Sequence, residues 1–420
     1  MMKYSKFILI LVLISNFCFN QKLLIPMDQT QNNHLKAYGI AFFALTNKIN
    51  VDWLLNYKGG SFMLDNNSII KNECILRGVS YSEINASEVN NIFQSIEENN
   101  MDIVLLEKEP KIAVYSPPDK LPWDDAVTLA LTYAEINYTI IFDDEVLTNK
   151  LSDYDWLHLH HEDFTGQYGK FYKNYRNKPW YKKMEADFNK IANKYGFSSV
   201  HNLKKGVAMK IKEYITNGGF LFAMCSATDT FDIALAASNV DIVNSVYDNT
   251  PVDPNYKNKI DFSQSIAFEN YDLYTNPMIY EYSTIDIPPS HKPITKGAEA
   301  DYFSLFEFSA KWDPVPTMLT QNHVSVINGF MGQTTGFRRS TLKKHVLILG
   351  EVENDEQVKY IHGNVGKGTF TFLGGHDPED YRHFVGDPPT NLSIHRNSPG
   401  YRLILNNVLF PAARKKEKKT

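Results

Sequence analysis

Apolar positions recur along this chain in short runs that switch between a period of two and a period near 3.6. Leu23 to Met27 reads as a strand, His34 to Leu45 as an apolar helix, and Asp52 to Leu64 as two strands around a Gly-Gly turn. Residues 68–77 and 87–98 carry helical spacing, and Ile103 to Leu106 is strand-like, so residues 22–108 predict a small α/β region. A second region, 111–410, opens with the apolar strand Ile112 to Tyr115, closed by Pro117 and Pro118. Trp123 to Glu135 then reads as a helix and Thr139 to Phe142 as a strand, an order that implies a parallel sheet. Trp156 to Leu159 extends it. Val207, Ile211, Tyr214 and Ile215 mark a helix face stopped by Asn217 and Gly218, and Phe220 to Met224 returns as a buried strand. Val358 to Ile361 and Thr369 to Leu373 flank a Gly-Lys-Gly turn and predict a hairpin. Between about 240 and 320 the period is lost among Pro, Asn, Asp and Tyr residues, which reads as an insertion or cap. No repeat of solenoid period appears.

The first 20 residues set an expectation about compartment. Lys3 and Lys6 precede the apolar run Phe7 to Ile14, and polar or small residues follow to Asn20, the layout of a secretory signal peptide cleaved near Asn20 or Gln21. The apolar run is far shorter than the roughly 20 residues that cross a bilayer, so no stable transmembrane anchor is expected. Asn16 and Phe17 before Cys18 argue against lipidation there. The chain is expected to be exported, periplasmic or secreted. Its 420 residues exceed what one core usually organises, and 43% hydrophobic residues suffice to fill two. With 43 Lys and Arg against 48 Asp and Glu the net charge is −5, so nothing attracts nucleic acid in general. A small molecule, peptide or glycan is the expected partner. The tail, residues 411–420, holds five basic residues and one acid between Arg414 and Lys419 and is expected to be solvated. After cleavage Cys74 and Cys225 remain; they form one bridge, or Cys74 is a buried apolar residue and Cys225 a functional thiol.

Candidate chemistry gathers at two turns. Cys225 falls where the strand Phe220 to Met224 ends, with Ser226, Ala227 and Thr228 leading to the apolar helix Ile233 to Ala237. Backbone N–H groups at such a turn stabilise a thiolate and a developing oxyanion. The downstream hairpin delivers Gly375, His376, Asp377, Pro378 and Glu379 to a loop, where His376 can act as base and Glu379 or Asp377 can orient it. The backbone N–H of Ser226 and a group near Gly166 are the expected oxyanion donors, which needs no cofactor. Tyr168 to Tyr181 interleaves aromatic and basic residues, and Tyr168 and Trp180 are expected either to stack on substrate or to form a partly ordered flap over the sheet. A rival reading starts from His158 and His160 on one strand face and His161, Glu162 and Asp163 at the strand's carboxyl end. With His376 and Asp377, the residues His160, His161 and Asp163 could hold zinc or another divalent ion whose bound water is the nucleophile of a metal-dependent hydrolase. His383 and His395 lie in Pro-rich sequence and are expected at the surface. A catalytically inactive envelope binding or assembly module is the third reading.

Residues 218–227, Gly-Gly-Phe-Leu-Phe-Ala-Met-Cys-Ser-Ala, followed far downstream by Gly375-His376-Asp377-Pro378-Glu379, resemble the class I glutamine amidotransferase fold and its ThuA-like relatives. The resemblance covers roughly residues 111–240 and 320–410 and implies a flavodoxin-like parallel sheet with Cys225, His376 and Glu379 as nucleophile, base and orienting acid. The chain departs from that pattern in having Ala223 and Ala227 where the family places glycines, and in the extra Asp377. The whole chain, including Leu24 to Gln29 and Asp52 to Phe62, is also similar to a family of exported Bacteroidota proteins often labelled asparagine synthetase B. That label implies an N-terminal cysteine and a Ser-Gly-Gly-x-Asp-Ser loop, whereas Met1 opens this chain and Gly59-Gly60-Ser61 runs into Phe62 and Met63.

Overall fold

The computed structural model describes residues 21–118, 125–287, 302–313, 315–380, 386 and 388–414. The expected signal segment with Cys18, the start of the helix expected at Trp123, His383 and the last six residues of the tail lie outside these. In chain order the elements are β1 (Lys22–Ile25), α1 (His34–Thr46), β2 (Val51–Leu55), β3 (Ser61–Asp65), α2 (Ser68–Arg77), β4 (Ser82–Ile84), α3 (Ala86–Glu98) and β5 (Asp102–Leu106). There follow β6 (Ile112–Tyr115), α4 (Ala126–Ala134), β7 (Thr139–Ile141), α5 (Asp143–Leu147), β8 (Trp156–Leu159), α6 (Tyr172–Tyr175), α7 (Pro179–Lys194), α8 (Val200–Thr216), β9 (Phe220–Met224) and α9 (Ser226–Ala236). The remainder comprises α10 (Ser245–Asp248), α11 (Tyr256–Lys259), β10 (Tyr302–Leu305), β11 (Val326–Asn328), β12 (Phe337–Arg338), β13 (Leu347–Glu351), β14 (Gln357–Val365), β15 (Gly368–Leu373) and α12 (Pro399–Leu409).

The protein is α/β with two sheets. The first, β4-β1-β3-β2-β5, is antiparallel throughout. The second runs β11-β10-β13-β14-β15-β9-β8-β6-β7, with β12 paired to β14. Its pairs from β15 through β9, β8 and β6 to β7 are parallel, and the pairs on the β14 side are antiparallel. Alternate residues of the parallel strands feed two cores, as the period of a strand requires: Ile112, Val114, Phe220, Phe222 and Met224 face one, and Ala113, Tyr115, Leu157, Leu221 and Ala223 the other. The first of these cores also takes α1, α4, α12 and the inner face of the small sheet, so the two sheets are welded through shared helices. Residues 302–305 and 326–328, expected within or beside an insertion, instead extend the large sheet as β10 and β11. Among the described residues no helix is long and apolar enough to cross a membrane.

A buried cation clamps the weld. Arg402 on α12 is fully buried and donates to Tyr38 Oη at 3.0 Å, to the Met27 carbonyl at 2.8 Å and to the Gly59 carbonyl. Gly59 is left-handed at φ 75°, and a Cβ there would sit 2.4 Å from the Met27 carbonyl oxygen. Beside Arg402, His34 and His323 stack with ring centroids 4.2 Å apart. Burial first, then the guanidinium, lowers His34 from the ordinary imidazole value of 6.5 to about 4; burial first, then the neighbouring His34 and Arg402, takes His323 to about 3. Cys74 and Cys225 are both unpaired and buried, which settles the bridge alternative against a disulfide. Arg414 does not hang free at the start of the tail: its N–H donates to the Leu105 carbonyl at 2.8 Å and its guanidinium pairs with Glu107.

These lowered histidines set a pH dependence. Between about 4 and 6.5 the unfolded chain binds a proton at His34 that the folded chain refuses, so stability present above pH 6.5 is expected to fall on acidification through that window. The loss expected for His34 is on the order of 3 kcal/mol. Urea unfolding at pH 7 and pH 4.5 checks it, with His34→Gln expected to show a shallower fall than the parent chain.

Candidate functional site

Every residue of β9 is buried, and the strand breaks abruptly at Cys225, whose φ of 51° and ψ of −139° put a non-glycine residue in the left-handed half of the map. Such a conformation costs about 1–3 kcal/mol and persists only where the surroundings hold it. They do. Cys225 N–H donates to the Gly375 carbonyl at 3.0 Å, Ala227 N–H to the His160 carbonyl at 3.1 Å, Thr228 N–H to the Cys225 carbonyl at 3.2 Å, and Ser226 Oγ to the His161 carbonyl at 3.0 Å. The ends of β8, β9 and β15 are thereby stitched at one level.

Cys225 is only 3% exposed. Burial pushes its pKa up, and the backbone N–H groups of Gln333, Thr334 and Ser226 oppose that rise by donating to the sulfur. Sequence reasoning assigned Ser226 and missed Gln333 and Thr334, which lie on the loop before β12. That loop is pinned by Gly375 N–H to the Thr334 carbonyl at 2.7 Å and by His376 N–H to the Met331 carbonyl at 3.0 Å. Thr334 Oγ1 donates to Asp229 Oδ1 at 3.0 Å, one turn into α9. Burial, reinforced by Asp286, holds the Asp229 carboxyl well above the usual carboxylate range and favours its neutral form.

His376 follows β15 and meets the histidines that follow β8. His376 Nε2 lies 3.0 Å from His161 Nε2, and the ring centroids of His160, His161 and His376 are 3.8 to 4.5 Å apart. One nitrogen from each of the three falls within 4.8 Å of the others. Asp125, the N-cap of α4, presents Oδ2 to His160 Nδ1 at 3.3 Å and to His158 Nε2 at 3.2 Å, while its Oδ1 accepts the Thr128 N–H at 2.8 Å. Burial alone would raise the Asp125 carboxyl, but His160 and His158 hold it well below the usual carboxylate range. Burial also pushes Glu162, next to His161 in the chain, up to about 8.

Several expected roles fall elsewhere. Glu379 does not orient His376; its Oε2 pairs with His395 Nδ1 at 2.9 Å, and His395 is half-buried by that contact. Asp377 is a structural anchor whose Oδ1 accepts the Glu379 N–H at 2.8 Å and whose Oδ2 accepts Tyr401 Oη at 2.6 Å and Thr390 Oγ1 at 2.8 Å. Asp163 lies outside the three-imidazole group because both its oxygens tie its own loop, Oδ1 to Thr165 N–H at 2.7 Å and Oδ2 to Gly169 N–H at 2.9 Å. Gly166 faces α8, where a Cβ would come 2.6 Å from His201 Cα. Tyr168 is buried and packs on Tyr181, Phe188 and Tyr247, and Trp180 packs with Phe171, Tyr175 and Tyr181. The flap is thus held by its own aromatic contacts, and Gln333 Nε2 reaches it through the Gly169 carbonyl at 3.0 Å.

No family model matches the chain, and no curated protein matches it. Solved structures give distant likenesses. A cytoplasmic protein of Salmonella typhimurium, STM3548, is 11% identical at a TM-score of 0.36, over 73% of this chain and all of its own. A second from strain LT2, STM1381, is 12% identical at 0.33, over 72% of this chain and all of its own. The GH42 β-galactosidase Gan42B from G. stearothermophilus is 11% identical at 0.28, over 64% of this chain and 28% of its own. Likeness at these TM-scores carries no argument about chemistry.

The packing around the second turn makes a stability test. A Cβ at Gly375, where φ is 94°, would lie 1.5 Å from the Phe330 carbonyl oxygen, whereas one at Gly196, φ 75°, meets nothing. Gly375→Ala is expected to cost about 3 kcal/mol or more and Gly196→Ala about 1 kcal/mol, read by urea unfolding. Equal costs would mean that the loop carrying His376 yields freely.

Proposed function

We propose that this chain is an exported thiol-dependent amide hydrolase on a flavodoxin-like, class I amidotransferase-like sheet, with Cys225 as nucleophile and His376 as base. The observation that carries the reading is the strained Cys225 at the end of β9, its sulfur facing the N–H groups of Ser226, Gln333 and Thr334, with the neighbouring strand β15 running into His376. The parallel strand order supports the sheet assignment: counted from β6, the strands β7-β6-β8-β9-β15 read 2-1-3-4-5, the flavodoxin-like order. His161 takes the place proposed for Glu379, since its ring nitrogen stands against His376 Nε2.

A buried thiol raised in pKa is protonated at neutral pH and needs a base to react. His376 accepts the Sγ proton as the sulfur bonds to the amide carbonyl carbon, and the N–H groups around the sulfur face the charge that develops on the carbonyl oxygen. The imidazolium returns its proton to the leaving nitrogen as the C–N bond breaks, giving an amine and a thioester on Cys225. Water then gives a proton to His376 and its oxygen to the carbonyl carbon; the C–S bond breaks, the carboxylic acid leaves, and the proton returns to sulfur. The substrate class is a small molecule, peptide or glycan bearing an acyl group, entering under the flap between Tyr168 and Tyr181. The motifs behind the asparagine synthetase label have no part in this chemistry.

An activated ester tests the first half-reaction. On incubation with p-nitrophenyl acetate, intact mass and peptide mapping are expected to place one acetyl group on Cys225. Cys225→Ala is expected to melt like the parent and to carry none, and His376→Ala to acylate about 100-fold more slowly. An acetyl group on other residues alone, or the same rate in His376→Ala, overturns the proposal.

A further inference from the structure

The imidazole cluster holds more ligand capacity than a cysteine–histidine pair uses. His160 is 2% exposed, and neither of its ring nitrogens has a hydrogen-bond partner among the described residues, although a buried ring nitrogen normally finds one. One of them, Nδ1, lies 3.3 Å from the Asp125 carboxylate. A carboxylate on the Nδ1 side favours the tautomer that carries its proton there and its lone pair on Nε2, the outer-shell pattern of histidines that bind metal. His161 and His376 stand beside the same ring, with one nitrogen of each of the three within 4.8 Å of the others, and their facing Nε2 atoms are 3.0 Å apart. Two imidazole nitrogens at 2.0–2.1 Å from a tetrahedral zinc ion would lie about 3.4 Å apart, so this pair needs a shift of only a few tenths of an ångström.

We infer that His160, His161 and His376 form a binding site for one divalent transition-metal ion of the zinc type, with Asp125 as the positioning residue behind His160. Three neutral imidazoles leave a fourth position for water, and the softness of imidazole favours zinc over magnesium or calcium. Cys225 is not a member of this group. The consequence rests on the proposed function: a metal on His376 Nε2 leaves the neutral ring's one proton on Nδ1, the nitrogen that would otherwise take the thiol proton, so occupancy silences the thiol chemistry instead of driving it.

Competition between tag-free full chain and a chromophoric zinc chelator tests the site, read beside acetylation of Cys225 by p-nitrophenyl acetate with and without zinc. One zinc per chain is expected in the parent and in Cys225→Ser, a loss of binding in His160→Gln and His161→Gln, and a 10- to 100-fold weaker site in Asp125→Asn. Because a buried histidine variant can fail to fold, melting of each variant is recorded, and Asp125→Asn and His161→Gln, at the half-buried end of the cluster, carry the test if His160→Gln does not fold. Zinc is expected to suppress acetylation and the chelator to restore it. No stoichiometric zinc in the parent, or zinc bound equally well by folded His161→Gln and Asp125→Asn, overturns the site. Zinc bound with acetylation unchanged or accelerated overturns the silencing. No acetylation without zinc overturns the thiol reading, while the zinc titration still decides the site on its own.

Discussion

The parallel pairing of β9 with β15 is the constraint on which the site depends. Its register sets Met224 opposite Leu373, so both strands end within a residue or two of each other, and the Cys225 N–H bond to the Gly375 carbonyl continues the ladder past the last paired residues. A slip by one residue would turn every side chain of β15 to the wrong face and carry His376 away from the elbow. The register is fixed by two cores, since Phe220, Phe222 and Met224 feed one side of the sheet and Leu221 and Ala223 the other. Hydrophobic packing on both faces therefore holds a polar arrangement at the sheet's margin that could not hold itself.

That margin concentrates groups that are expensive to bury. His158, His160, His376, Asp229 and Glu162 are all buried, and each needs a partner or a neutral form. The structure uses both solutions. Asp125 bonds His158 and brings its charge to within 3.3 Å of His160, Thr334 serves Asp229, and burial drives Asp229 and Glu162 toward the neutral acid. What is left over, chiefly the ring nitrogens of His160, without a hydrogen-bond partner among the described residues, and the strained backbone of Cys225, is where stability has been given up. Sites that depart from local preference in a well-packed frame are where binding and chemistry are expected.

Local pattern made the elements legible. Helices at Ser68–Arg77 and Ala86–Glu98 and the strand at Phe220–Met224 lie where apolar spacing and stop signals put them, because there the local period and the buried face agree. The elbow was legible for the same reason: a buried strand, a cysteine and a run of small residues can hardly be arranged otherwise. The partners were not. Gln333 and Thr334 act through backbone N–H groups, which any residue type supplies, so their identity carries no signal. Asp125 was hidden in an ordinary helix-capping position, and only the fold brings its second oxygen to His158 and His160. Glu379 and Asp377 misled because adjacency in sequence says nothing about direction: the turn after His376 points their carboxylates at His395 and at Tyr401. β10 and β11 were missed because edge strands without a clean period gain their order from β13, which lies later in the chain.

Direction at that turn links the small sheet to the chemistry. Tyr401 on α12 holds Asp377 through its hydroxyl, and Gly400 lets α12 approach Pro378 so closely that a Cβ would fall 2.3 Å from the proline ring. One residue later, Arg402 fastens the same helix to Tyr38, Met27 and Gly59 of the N-terminal region. The N-terminal region thus sits two contacts from His376 although it contributes no side chain to the cluster. A guanidinium can be buried at this joint because carbonyl oxygens and a hydroxyl take its donors, and because its two histidine neighbours stay neutral. Loss of that neutrality would place three cations together and loosen α12. The turn carrying His376 would then lose part of its brace, which couples the state of a distant buried joint to the geometry of the site.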